Sequence, residues 1–140
     1  MIQNLTTGDA LPVLERLVQF AGQRHRLIVN NIANFDTPGF RPANVSVRGF
    51  QEQLGEAIDE ARQSGGVVQP QDSAEVEFQP DGLRLHPEPA GENILFHDHN
   101  DRDLERTMQD LVENFMTFRA ASELIRSRFD LINSAIAERA

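Results

Sequence analysis

Asn30-Asn31-Ile32-Ala33-Asn34-Phe35-Asp36-Thr37-Pro38-Gly39-Phe40 is where a long amphipathic helix is made to stop. Proline fixes its own φ, lacks an N–H and pushes Thr37 away from the α region. Pro38 followed by Gly39 suits the central positions of a type II turn, where glycine takes the positive φ. Upstream, Leu11, Leu14, Val18, Ala21, His25, Ile28, Ile32 and Phe35 step alternately by three and four. That alternation predicts a helix seeking a coiled-coil-like partner. Val13, Leu17, Phe20 and Leu27 form a second, partial stripe beside it. Asp9 suits the N-cap, with Pro12 and Glu15 in the first turns. Asparagine competes for backbone hydrogen bonds inside a helix. Asn30, Asn31 and Asn34 therefore read either as a frayed helix end or as amides reaching other backbone or another chain.

Working outward, Val45 and Val47 alternate with polar neighbours, which predicts an extended piece. Phe50, Leu54, Ile58 and Ala61 share one face of a short helix that ends at Ser64-Gly65-Gly66. Ala74 to Phe78 and Leu83 to Leu85 alternate around Pro80-Asp81-Gly82 and predict a small hairpin. From Gln51 to Asn100 there are eleven Asp and Glu against two Arg. This middle stretch reads as a solvated arm; with few apolar residues, its folding back over the helices is the weaker expectation.

The strongest periodicity lies near the C-terminus: Leu104, Met108, Leu111, Phe115, Phe118, Ser122, Ile125, Phe129, Ile132 and Ile136. Asn100 or Asp101 can cap that helix, and Leu124, Leu131 and Ala135 form a neighbouring stripe. The expected fold is mainly α. Long N- and C-terminal helices pack as a coiled-coil-like pair, and a loop-rich middle carries a short helix and a small hairpin. Its parts are residues 1–40, 41–99 and 100–140, within one domain. Two helices packed antiparallel hide one stripe each, so the remaining apolar strips predict contacts with other chains.

Composition excludes much. The 140 residues carry a formal net charge of −9, which repels nucleic-acid phosphates and anionic lipid headgroups. There is no Cys, and all thirteen basic residues are Arg. Disulfides, thiolate metal sites, Schiff-base lysines and a P-loop lysine are therefore absent. No apolar run spans a bilayer and no cleavable leader is visible, so synthesis in the cytoplasm is expected. His97-Asp98-His99 with His86 is the best candidate for a metal site, yet its spacing matches no zinc motif. Residues 98–103 fail as a calcium loop because Arg102 stands where an oxygen ligand is needed. Neither a G-x-S-x-G elbow nor a glycine-rich phosphate cradle is present. No enzyme, metal or cofactor is expected.

Asn30-Asn31-Ile32-Ala33-Asn34 followed by Thr37-Pro38-Gly39-Phe40 resembles the N-terminal signature of the bacterial flagellar axial proteins, the rod, hook and hook-associated family. Asn100 to Glu105, Met108, Glu113-Asn114 and the run Arg128 to Ile136 are similar to the proximal-rod members in particular. The likeness covers roughly the first and last thirds of the chain. One departure is Thr117-Phe118-Arg119, where relatives often carry an Arg-Tyr-Gln-like sequence.

The resemblance implies a structural subunit of the basal-body rod, required for flagellum assembly and motility. It implies export by the flagellar type III apparatus without a cleaved signal, a periplasm-spanning location, and terminal helices packed into a torque-bearing helical tube. Implied partners are further copies, other rod subunits, and the basal-body adaptor and export gate. Neither nucleic acid nor membrane insertion is implied. The interface would use Asn30, Asn31, Ile32, Ala33, Asn34, Thr37, Pro38, Gly39 and Phe40. Helix stripes would add Leu14, Val18, Ile28, Leu104, Met108, Leu111, Phe115, Phe118, Ile125, Phe129, Ile132 and Ile136. The competing reading is a soluble helical adaptor or a closed coiled-coil dimer.

Overall fold

The structure is a computed structural model that describes residues 10–89 and 101–137, with side chains in the last helix from Leu104 onward. The caps expected at Asp9 and at Asn100 or the Asp101 side chain lie outside the described residues. Two long helices dominate: α1, Ala10–Ala33, and α3, Asp101–Ala137. Between them come β1, Ala43–Asn44; α2, Val47–Ser64; β2, Val76–Gln79; β3, Gly82–Leu85; and β4, Glu88–Pro89. The fold is mainly helical, as the periodicities predict. α1 ends at Ala33, and the chain turns at Thr37-Pro38-Gly39-Phe40. The Phe40 N–H donates to the Thr37 carbonyl at 3.1 Å and Gly39 has φ 77°, the type II pattern.

Local chemistry accounts for the middle elements. Ser46 caps α2, its Oγ accepting from the Gly49 N–H at 2.9 Å. Gly65, with φ 66°, stops the helix in the left-handed region. β2 and β3 pair antiparallel in the register Val76 with Leu85 and Gln79 with Gly82. Pro80 and Asp81 are the two loop residues of this hairpin. β1 pairs antiparallel with β4, Ala43 opposite Pro89. Val47, expected in an extended piece, instead opens α2, because the Ser46 cap starts the helix one residue earlier.

The middle segment does fold back, against the expectation of a solvated arm. Phe20, Val45, Phe50, Leu54, Val76 and Leu83 form a buried core, flanked by Val13, Leu17 and Leu27 of α1. The partial stripe of α1 is thus the one that carries the core. Phe20 and Phe50 stack with centroids 4.0 Å apart, and Phe78 lies 6.3 Å beyond Phe50. Few apolar residues suffice here because α1 supplies the other half of the layer.

Polar side chains of α1 then lock the strands in place. Gln23 donates from Nε2 to the Leu83 carbonyl and accepts the Leu85 N–H at 3.3 Å, reading β3 as a neighbouring strand would. Arg16 donates to the Gly82 carbonyl at 2.6 Å. Asn31 repeats the device on β1: its Nδ2 donates to the Ala43 carbonyl at 2.7 Å, and its Oδ1 accepts the Ala43 N–H at 3.2 Å. Each such bond contributes about 1 kcal/mol net.

Phe50 is 1% exposed at the centre of this core. Phe50→Ala is expected to destabilise the protein by about 3–5 kcal/mol in a urea titration. A smaller loss than in an exposed-site control such as Phe115→Ala would contradict this assignment of the core.

Candidate functional site

α1 and α3 run antiparallel, as two contacts fix. The Asn114 Nδ2 donates to the Ala21 carbonyl at 2.9 Å, and Arg24 pairs with Asp110 at 3.5 Å. On this seam Ala21, Arg24 and Ile28 of α1 are buried, and on α3 only Asn114 and Ala121 are. The covered side of α3 carries a small and polar series, Thr107, Asn114 and Ala121, with Leu104, Leu111 and Ile125 half-buried beside it. That series sits one position before the phenylalanine-rich stripe.

The apolar bulk of α3 therefore faces away from α1. Met108, Val112, Phe115 and Met116 are each about half exposed or more. A second apolar region lies toward the helix end. In the observed register Ala10 lies level with about Ile125, so residues 126–137 extend roughly 18 Å past the described start of α1. Phe129, Leu131, Ile132 and Ile136 on that extension are all exposed. Concentrated apolar exposure of this kind is, in general, a feature of interaction surfaces. Its chemistry is non-polar packing.

The anticipated interface residues fall into three sets. Met108, Phe115, Phe118, Phe129, Ile132 and Ile136 are exposed. Leu14, Val18, Leu104, Leu111 and Ile125 are half-buried and Ile28 is buried. In the signature, Asn30, Ala33, Thr37, Pro38 and Gly39 are exposed, whereas Asn31, Ile32, Asn34 and Phe40 are half-buried. Asn31 serves β1 within its own chain, and Asn34 donates back to the Asn30 carbonyl at 2.9 Å and to its side-chain oxygen at 3.1 Å. These amides thus make intrachain bonds, one reaching other backbone and the others closing the helix end.

Arg24, Asn114 and the Gln23 clamp escaped the sequence reading. The heptad repeat of Thr107, Asn114 and Ala121 was the available signal, hidden by the stronger stripe beside it.

Titratable chemistry is sparse. His97, Asp98 and His99 lie outside the described residues. Among the described residues no three His, Asp or Glu side chains gather as metal ligands. His25 is exposed. His86 meets Glu77 across the hairpin at 3.1 Å. The His86 hydrogen bond, and after it that of Gln79, holds the Glu77 carboxyl below its ordinary value. Two shallow grooves flank α2, and the one beside α1 holds only Glu15 and Arg16 as charged groups. No helix among the described residues is long and apolar enough to cross a membrane.

The chain is similar to a flagellar rod protein. Aligned with the flagellar basal body rod protein FlgB of Bacillus subtilis strain 168, it is 22% identical over 123 residues, which cover 88% of this chain and 89% of that one. The alignment runs through the middle segment as well as both long helices, so the resemblance read from the terminal thirds extends along most of the chain. No family model and no solved structure matches.

A carboxyl whose folded pKa is depressed contributes stability above its unfolded pKa, near 4.3 for Glu, and loses it as pH falls through the folded value. Followed by NMR, Glu77 is expected to titrate below the ordinary glutamate value, and His86→Ala should move its midpoint upward. An unchanged midpoint in that variant would remove the His86 contact as the cause.

Proposed function

We propose that this chain is a structural subunit of a bacterial flagellar basal-body rod, joined to its neighbours through the exposed surface of α3. The observation that carries the reading is the outward apolar face of Met108, Val112, Phe115 and Met116, on a chain similar to FlgB over most of its length. A partner covering several such side chains gains about 1.5–3 kcal/mol for each one fully buried. The second apolar region, on the extension of α3, lies elsewhere on the molecule. A subunit with two distinct adhesive surfaces makes heterologous contacts, which propagate into a helical array instead of closing as a dimer.

In this reading the turn at Thr37-Pro38-Gly39 directs the chain out of the helical layer, and Asn30, with the other exposed signature residues, meets a neighbour. Torque is carried by many staggered helix contacts. Other rod subunits and the adaptor at the rod base are the partners. The adaptor or closed-dimer alternative differs in stoichiometry. Light scattering across a concentration series is expected to give monomer or open-ended growth, and a sharp stop at dimer would favour the adaptor.

Phe115→Asp and Ile136→Asp change exposed residues, so each purified variant should keep the parent circular dichroism and urea midpoint within about 0.5 kcal/mol. Introduced into a strain lacking its own copy, each should abolish swimming while the subunit is still exported. Normal swimming by both variants would overturn the proposal.

A further inference from the structure

The setting of α3 on α1 leaves Met108 and Phe115 about half exposed while Asn114 is buried. Turning α3 by one residue position, about 100°, would bring Met108 and Phe115 toward α1 in place of Thr107 and Asn114. Burial of those two side chains would favour such a turn, since the hydrophobic driving force grows with the area removed from water. The observed setting instead buries an amide and a guanidinium, groups that resist burial unless partnered.

Their partners are specific. The Asn114 Nδ2 reaches the Ala21 carbonyl at 2.9 Å, and Arg24, 6% exposed, meets Asp110 at 3.5 Å. The Arg24 Nε has no hydrogen-bond partner among the described residues, so the guanidinium is held by less than its full complement. Both contacts join one position of α1 to one of α3, and a rotation or a one-turn slide loses both. In helix pairs a buried polar residue selects a register at the expense of stability.

We infer that Asn114 and Arg24 are positioning residues that set the rotation of α3 on α1 and so keep the Met108 and Phe115 face directed outward. Removing both side chains also opens space beside Ala21 that a rolled-in phenylalanine can occupy. The mechanism concerns the intrachain seam alone and holds whether or not the outward face joins a flagellar rod.

The absence of cysteine makes a labelling test clean. Single reporters Met108→Cys, now 48% exposed, and Ala121→Cys, now 1% exposed, are placed in the full chain with and without Asn114→Ala/Arg24→Ala. Alkylation by iodoacetamide is followed by mass spectrometry at protein concentrations where the chain is monomeric. In the parent, position 108 is expected to react fast and position 121 slowly. In the double-alanine background the order should reverse, with helical content retained. Unchanged rates would overturn the inference, as would fast reaction at both positions, which would mean that α3 has come away and not turned. Asn114→Gln, able to reach the same carbonyl, should keep the parent order.

Discussion

Everything in this molecule depends on α1 having to satisfy two neighbours at once. One face, through Val13, Leu17, Phe20 and Leu27, completes the core made by α2 and the hairpin. The adjacent face, through Ala21, Arg24 and Ile28, receives α3. A helix of 24 residues has room for both only because each seam uses one narrow stripe. The core seam is aromatic and tightly stacked. Across the α3 seam the fully buried residues of α3 are Asn114 and Ala121, with Leu104, Leu111 and Ile125 half-buried beside them.

That division separates what holds the subunit together from what it offers to others. The phenyl rings of Phe20, Phe50 and Phe78 stabilise the folded unit from inside. By contrast, the apolar side chains of α3 contribute little to folding, since most of them meet solvent. Free energy not used within the chain remains available for association. Any subunit of a larger assembly needs this arrangement, because surfaces already satisfied internally cannot drive association.

The two amide clamps connect the layers. Gln23 and Asn31 lie on the same helix and each takes both a carbonyl and an N–H from strand backbone. They give the short strands, which are marginal alone in water, a second hydrogen-bonding neighbour. Asn31 also ties the end of α1 to the chain emerging from the Pro38-Gly39 turn, so the signature stretch is a structural joint as well as an exposed surface.

Much of this was legible in the residues themselves. The helix ending before Pro38, the type II turn at Gly39, the α2 stop at Gly65 and the hairpin around Pro80-Asp81 all follow from local dihedral and hydrogen-bonding preferences, which act within a few positions. The apolar stripes were equally legible, and with them the surplus of surface that implies partners. What the stripes could not state was which of them turns inward. Periodicity identifies a face but not its direction, because the choice depends on contacts between residues distant in sequence. Only the tertiary structure placed Asn114 on the carbonyl of Ala21 and Arg24 beside Asp110, and only it brought the acidic middle segment onto Phe20. Those pairings decide that the weaker stripe of α1 builds the core and that Met108, Phe115, Phe129 and Ile136 of the stronger α3 stripe are left facing outward.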